Sequence, residues 1–179
     1  MKTLLNRAKI IQNAYIVKDL EETIHRFHKI FGLGPFLLFE HWDLPKVTYR
    51  GDQEIDLDMS VAFVQSGELN LEFIYQHDNG PSAFRDMYGP GEEGFHHVAL
   101  ICDDYEQEVK NFEEAGLPVA MKFETGPDSS LVYVDTRSEL GHMVELYQDA
   151  PGLHGLYDMI RSAAENWDGK ELILTPSLG

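Results

Sequence analysis

The chain has 179 residues, 43% of them hydrophobic and 11% aromatic, a composition typical of a folded globular protein rather than a disordered one. Its 14 Lys and Arg residues stand against 31 Asp and Glu residues, and the resulting net charge of -17 disfavours nucleic acids and anionic membrane surfaces, because both require a basic patch. The single cysteine, Cys102, excludes an internal disulfide, and no apolar stretch reaches the roughly 20 residues of a membrane span. We therefore predict a cytoplasmic protein without nucleic-acid or membrane partners.

The first half of the chain is predicted to contain one strand, one helix and three further strands. The apolar stretch "IIQNAYIV" is followed by Asp19 and Glu22, which have the spacing of a helix N-cap. The glycines of "FGLGP" are expected to end that helix. Strands are predicted next at "FLLFEHW", "MSVAFVQ" and "LNLEFIY". The segment 77–94, rich in Gly, Pro and acidic residues, is interpreted as a linker.

The second half repeats this order. "FHHVALICDDYEQEVKNF" aligns with "IIQNAYIVKDLEETIHRF" at a shift of 85 positions (97 minus 12), which places Gln12 on His97 and Asp19 on Asp104. Asp104 and Gln107 repeat the N-cap spacing, and strands are predicted at "VAMKFET", "SLVYVDT" and "HMVELYQ". Agreement in element order, caps and helix ends indicates an internal duplication of a βαβββ module.

The predicted organisation is α+β, with two βαβββ modules and a C-terminal helix. The boundaries are 8–76 for the first module, 77–94 for the linker, 95–149 for the second module, and 150–179 for the helix and tail. In "GLHGLYDMIRSAAENW" the apolar residues recur at helical spacing, which predicts an amphipathic helix packed on the domain or on a second subunit. A homodimer is therefore one of two alternatives.

Polar residues inside apolar strands are the candidates for chemistry. Successive side chains of a strand point to opposite faces, so each half offers one polar group on its opening strand and one carboxylate on its closing strand. These are Gln12 with Glu72, and His97 with Glu145. By the same alternation, His96 is predicted to pack on the face opposite His97. A buried carboxylate is costly unless it is paired or binds a cation, so Glu72 and Glu145 are each expected to have a partner.

The motifs "NAYIVKDLEETIHRFHKIFGLGPF", "SVAFVQSGELNLEFIYQ", "GFHHVALICDDYEQ" and "GHMVELYQ" resemble the vicinal oxygen chelate superfamily, the glyoxalase and methylmalonyl-CoA epimerase group. The resemblance covers residues 10–148. It implies two paired modules forming a curved, barrel-like mixed sheet around a divalent metal, with Gln12, Glu72, His97 and Glu145 as ligands. Three oxygen donors and one nitrogen suit Zn, Co, Ni or Mn. The resemblance also implies an acidic residue near the substrate, at the position of Asp56.

The implied activity is that of a metal-dependent isomerase, epimerase or lyase, which moves a proton next to a carbonyl through a metal-stabilised enolate. Glu145 and Glu72 are the candidate bases, each acting as ligand and proton carrier. One alternative is a ligand-binding protein of the bleomycin-resistance type. Another is a ring-cleaving dioxygenase, for which the superfamily uses two His and one Glu, a pattern that Gln12 weakens.

The sequence gives one indication of substrate class. A coenzyme A ester or a glutathione adduct needs basic partners for its phosphates or carboxylates, and the sequence has no cluster of Lys and Arg. Aromatic residues in the predicted loops indicate instead a less charged, cyclic or aromatic carbonyl compound. These residues are Phe36, Phe39, Trp42, Tyr49 and Tyr88.

Overall fold

The structure, a computed structural model, describes residues 3–5, 8–42, 46–126 and 129–176. Residues 177–179 of the predicted C-terminal tail lie outside the described residues. The strands and helices of the described part are, in chain order, β1 (Ile10–Ile16), α1 (Leu20–Phe31), β2 (Phe36–Phe39), β3 (Val47–Tyr49), β4 (Gln53–Glu54), β5 (Met59–Ser66), β6 (Leu69–Gln76), β7 (Gly94–Ile101), α2 (Tyr105–Glu114), β8 (Val119–Gly126), β9 (Ser129–Val134), α3 (Arg137–Leu140), β10 (Met143–Tyr147), α4 (Pro151–Glu165) and β11 (Ile173–Leu174).

The strands form a single mixed sheet in the order β11-β2-β5-β6-β1-β7-β10-β9-β8-β3-β4. Each opening strand pairs in parallel with the closing strand of its own half, β1 with β6 and β7 with β10. The two opening strands pair with each other antiparallel at the centre of the sheet. The predicted α+β class, with a curved mixed sheet and a C-terminal helix, is confirmed, and the sheet is open rather than a closed barrel.

Helices α1 and α2 begin and end as their sequences predict. The Asp19 carboxylate accepts a hydrogen bond from the Glu22 amide at 2.8 Å, and the Asp104 carboxylate accepts one from the Gln107 amide at 3.3 Å. Gly32 ends α1 in the left-handed conformation, with φ of 69°, which glycine adopts without steric cost. Both helices are therefore fixed at their N-termini by the repeated acidic cap.

A hairpin that the sequence patterns did not reveal links the two halves. Strands β3 and β4 leave the first half and pair with each other, and β3 also pairs with β8 of the second half, with Val47 opposite Phe123. At the hairpin turn, the Arg50 guanidinium lies 2.5 Å from an Asp86 oxygen and 2.7 Å from an Asp135 oxygen. The hairpin is therefore held by ionic contacts with the linker and with the second half.

Helix α4 packs on its own chain through the predicted apolar stripe. Ile160 is buried in the core between the halves, and Leu156 and Ala163 pack against the same cluster. Trp167, just after the helix, lies against Gly34, where an added Cβ would meet the indole ring at 2.6 Å. Of the two alternatives for this stripe, packing on the domain is observed. No helix in the described ranges is long and apolar enough to cross a bilayer.

Candidate metal centre

The two adjacent histidines of β7 lie on the same face of the sheet, because the strand is irregular at His96. Ala14 of β1 pairs with His97 and the next residue, Tyr15, pairs with Phe95, so that His96 has no partner on β1. Such a bulge inserts one extra residue and interrupts the alternation of side chains. Both histidine rings contact the ring of Tyr133, at centroid distances of 6.0 and 5.0 Å. The prediction that His96 packs on the opposite face is therefore wrong.

Three of the four predicted ligands come together at one point. Glu72 of β6, His97 of β7 and Glu145 of β10 are buried, with exposed fractions of 5%, 0% and 1%. His97 Nε2 lies 3.4 Å from Glu72 Oε2 and 3.1 Å from Glu145 Oε2. On β1, Ala14 pairs with both Glu72 and His97, and on β7, Ala99 pairs with Glu145. The small alanine side chains leave room for the three longer ones to converge.

The spacing of these three atoms fits a shared divalent cation. None of the three atoms makes a hydrogen bond within the described part of the chain. Ligand atoms about 2.0–2.2 Å from one ion, at tetrahedral or octahedral angles, lie about 2.8–3.6 Å from one another. The distances from His97 Nε2, 3.1 and 3.4 Å, fall in that range. The donor set of two carboxylates and one imidazole suits the predicted Zn, Co, Ni or Mn.

The electrostatics of the three groups favour a bound positive charge. Burial raises the pKa of Glu72 to about 7, despite the opposing effect of His97. Burial by itself lowers the pKa of His97, but Glu145 and Glu72 outweigh it and raise that pKa to about 9. Without a metal, a proton on His97 therefore lies between two carboxylates at neutral pH. A metal that binds here must displace this proton.

Gln12, the fourth predicted ligand, lies next to this cluster with both amide atoms engaged. The residue is fully buried on β1; its Nε2 donates to Asn70 Oδ1 at 2.9 Å, and its Oε1 accepts from the Tyr147 hydroxyl at 3.3 Å. An amide oxygen has two lone pairs, so Oε1 keeps one acceptor position. Gln12 as a metal ligand stays a prediction.

A cavity of about 260 Å³ adjoins the convergent carboxylates. Glu72 and Glu145 form part of its wall, and α4 covers it with Gly152, Leu153 and Leu156. The remaining wall residues are Trp42, Met59, Phe63, Phe123, Ser129, Ser130, Leu131, Tyr133, Tyr147 and Gln148. Among the described residues, no Lys or Arg forms part of this wall. The cavity is therefore mostly apolar, with its charge concentrated at the two carboxylates.

Comparison with known proteins assigns the family. The family model described as the Glyoxalase/Bleomycin resistance protein/Dioxygenase superfamily matches residues 11–134, well over half of the chain. The chain belongs to this superfamily. The predicted resemblance to the vicinal oxygen chelate superfamily is thereby confirmed. No protein in a search of curated proteins matches the sequence significantly.

Solved structures of the superfamily share the fold at low sequence identity. Methylmalonyl-CoA epimerase from Mycobacterium tuberculosis is 17% identical, with a TM-score of 0.53 over 87% of this chain and 97% of the epimerase. A hypothetical protein from Bacillus halodurans C-125 is 18% identical, with a TM-score of 0.55 over 79% of this chain and 94% of that protein. A methylmalonyl-CoA epimerase in complex with methylmalonyl-CoA and NH4+ is 15% identical, with a TM-score of 0.50 over 80% of this chain and 95% of that epimerase. At these identities the similarity shows the fold alone.

The aromatic residues that line the cavity of this protein differ from those predicted. Of the five loop aromatics, only Trp42 reaches the cavity. Phe36 and Phe39 are buried in the core, the Tyr49 hydroxyl donates to Asp86 Oδ1, and the Tyr88 hydroxyl donates to the Phe95 carbonyl. The aromatic part of the wall consists instead of strand residues that were not among the predicted cavity residues. They are Phe63, Phe123, Tyr133 and Tyr147.

Two of these wall residues, Tyr133 and Tyr147, carry hydroxyl groups near the carboxylates. Burial raises the pKa of both phenols well above its ordinary value, and the charge of Glu145 raises it further. Both hydroxyls therefore stay protonated in the physiological range and act as hydrogen-bond donors.

A second, larger groove of about 620 Å³ lies outside the cavity, and Trp42 borders both. Asp56 lines this outer groove rather than the inner cavity. Nearby, His41, Asp58 and His77 place possible ligand atoms within 4.8 Å of one another. The two imidazole rings stack at 4.2 Å with 21° between their planes, so an ion in the plane of one ring lies well out of the plane of the other. The buried triad is therefore the better candidate for a metal.

We expect the metal-free protein to bind about one divalent cation per chain and to release between about one and two protons per ion at pH 7. His97 must lose its proton to become a ligand, and so must Glu72, which is about half protonated at that pH. Since the pKa of His97 is near 9, the affinity should rise with pH up to that value. Binding should stabilise the fold by about 2.7 kcal/mol when free metal is ~100 times the dissociation constant. Titration calorimetry in buffers of different ionisation enthalpy measures the stoichiometry and the proton release.

The variant His77→Asn, which removes one possible ligand of the exposed cluster and none of the buried triad, serves as the control and should titrate like the wild type. Absence of stoichiometric binding of Zn, Co, Ni and Mn, together with an unchanged melting temperature, would contradict the metal centre.

Proposed function

We propose that the protein is a metal-dependent isomerase, epimerase or lyase that moves a proton next to the carbonyl group of a small, cyclic or aromatic substrate. The observation that supports this proposal is the convergence of Glu72, His97 and Glu145 in the wall of an otherwise apolar cavity. Buried ionisable groups with shifted pKa values in a cavity are typical of catalytic sites.

Glu72, His97 and Glu145, with Gln12 as a further donor, would hold the divalent cation. When bound, the cation supplies stabilisation for negative charge on the carbonyl oxygen, and this acidifies the adjacent C–H bond. Both Tyr133 and Tyr147 form part of the cavity wall. The Tyr147 hydroxyl donates to Gln12 Oε1, so the Tyr133 hydroxyl, which lies beside Glu145, is the one that would donate to a substrate oxygen.

The carboxylates of Glu145 and Glu72 are the groups that take the proton from carbon and return it. The Oε2 atom of each faces His97, which leaves Oε1 for proton transfer. Leu153 and Leu156 of α4 cover the cavity and so limit access of water to the reacting atoms.

The dimensions and charge of the cavity support a small and weakly charged substrate. A volume of about 260 Å³ is below the ~300–1,000 Å³ of most ligand sites. Phosphates and carboxylates of larger conjugates are usually bound by Arg or Lys, and the wall residues in the described part of the chain include neither. The outer groove adds negative charge, from Glu54, Asp56, Asp58 and Asp78.

A second candidate function is ligand binding without turnover, as in members of the bleomycin-resistance type. The apolar wall and the cover formed by α4 favour it, because they would retain a ligand even without chemistry. The ring-cleaving alternative is not supported by the donor set. The site has two carboxylates and one imidazole, and the nitrogens of the neighbouring His96 contact the Ala83 carbonyl and His97 instead.

The variant Glu145→Gln is expected to lower solvent deuterium exchange at the substrate's α-carbon by about 10²- to 10⁴-fold, because the amide cannot accept the proton. Mass spectrometry or NMR measures the exchange at saturating metal, on the fastest compound of a panel of cyclic ketones, acyl-CoA esters and hemithioacetals. The exposed Glu114→Gln serves as the matched control and should exchange like the wild type. Exchange retained in Glu145→Gln would remove Glu145 from the role of base.

The substrate class is tested on the same panel. Cyclic or aromatic carbonyl compounds should be turned over, whereas methylmalonyl-CoA and the methylglyoxal–glutathione hemithioacetal should stay below a kcat/KM of about 10⁴ M⁻¹s⁻¹. A higher value for either conjugate would contradict the predicted substrate class but not the proton transfer. Tight binding without turnover across the panel would favour the binding function.

A further inference from the structure

We propose that His96 is a positioning residue that fixes the tautomer of His97 and so presents its Nε2 lone pair to the metal. The inference rests on the proposed metal centre. The observation behind it is a pair of hydrogen bonds that links the Ala83 carbonyl to His97 through His96. His96 Nε2 lies 3.0 Å from the Ala83 carbonyl oxygen, and His96 Nδ1 lies 2.8 Å from His97 Nδ1.

The Ala83 carbonyl sets the direction of both hydrogen bonds. The Ala83 carbonyl can only accept, so His96 Nε2 must carry a hydrogen and donate it. A neutral imidazole has a single N–H, which leaves His96 Nδ1 as an acceptor. His97 Nδ1 must then be the donor of the second hydrogen bond. A neutral His97 with its hydrogen on Nδ1 has its lone pair on Nε2, the atom that faces Glu72 and Glu145.

The opposite direction requires a charged His96, which its surroundings disfavour. If His96 donated from both nitrogens it would be a cation, fully buried and without a carboxylate partner within the described part of the chain. A buried imidazolium without an acidic partner is costly, so His96 is neutral.

The position of His96 is fixed by the bulge and by the linker. The bulge in β7 turns the His96 side chain onto the face of His97, and the rings of Phe84 and Tyr133 contact it at 5.3 and 6.0 Å. Ala83 and Phe84, both fully buried, belong to the linker between the two halves. The linker thus supplies the backbone carbonyl that begins the series of hydrogen bonds.

Outer partners of this kind affect metal affinity because they select the ligating form of the imidazole. If His96 is absent, neutral His97 can move its hydrogen to Nε2, and that tautomer places an N–H where the ion should bind. Loss of such partners typically costs about 10- to 100-fold in metal affinity.

Two variants at position 96 separate positioning from packing. His96→Leu fills the space but offers no polar atom. In His96→Gln the amide nitrogen can donate to the Ala83 carbonyl and the amide oxygen can accept from His97 Nδ1. Zinc affinity, measured by competition with a chelator, should fall about 10- to 100-fold in the Leu variant. It should return to within a few-fold of wild type in the Gln variant. Near-UV circular dichroism verifies that both variants are folded.

A direct readout is the tautomer itself, from long-range ¹H–¹⁵N NMR spectra of the histidine rings in zinc-loaded and metal-free protein. We expect hydrogen on Nε2 of His96 in both states, and on Nδ1 of His97 when zinc is bound. Hydrogen on Nδ1 of His96, or unchanged zinc affinity in folded His96→Leu, would overturn the proposal. If the wild type binds no zinc, the metal centre fails, and the spectrum of metal-free His96 still decides the direction of the hydrogen bonds.

Discussion

The burial of two carboxylates beside one imidazole is the constraint on which the rest of the structure depends. Glu72 and Glu145 are almost fully removed from water, and two negative charges in such a place are costly unless a cation compensates them. A proton on His97 compensates one charge, and a divalent ion with neutral His97 compensates both. In the metal-free protein the cost of burying these charges raises two pKa values, that of Glu72 to about 7 and that of His97 to about 9.

The fold meets this demand through the pairing of its central strands. Four adjacent strands, in the order β6-β1-β7-β10, bring together side chains that are far apart in the sequence. Alanines on β1 and β7 make the space, and the bulge at His96 brings a second imidazole to the same face. Helix α4, which follows the second half in the chain, adds Gly152, Leu153 and Leu156 to the wall of the cavity. The charge of the site, the access to the cavity and the orientation of His97 are thus controlled by different parts of the chain.

Much of this arrangement could be predicted from the sequence because it depends on local periodicity. Strand alternation together with the repeat singled out Gln12, Glu72, His97 and Glu145, and the family resemblance implied that they meet at one metal. The acidic caps predicted where α1 and α2 begin. The failures concern pairing between distant segments. The bulge at His96 is defined by the pairing of β7 with β1, and the hairpin of β3 and β4 is stabilised by pairing with β8. The aromatic wall likewise depends on which strand faces the cavity.

Anomalous diffraction from crystals of the protein grown with Zn²⁺ would locate the bound metal. One strong peak is predicted at about 2.0–2.2 Å from Glu72, His97 Nε2 and Glu145. The oxygen of Gln12 should be either a further ligand or close to the ion. Absence of a peak between the three buried side chains at saturating zinc would contradict the account. So would a peak confined to the exposed cluster of His41, Asp58 and His77.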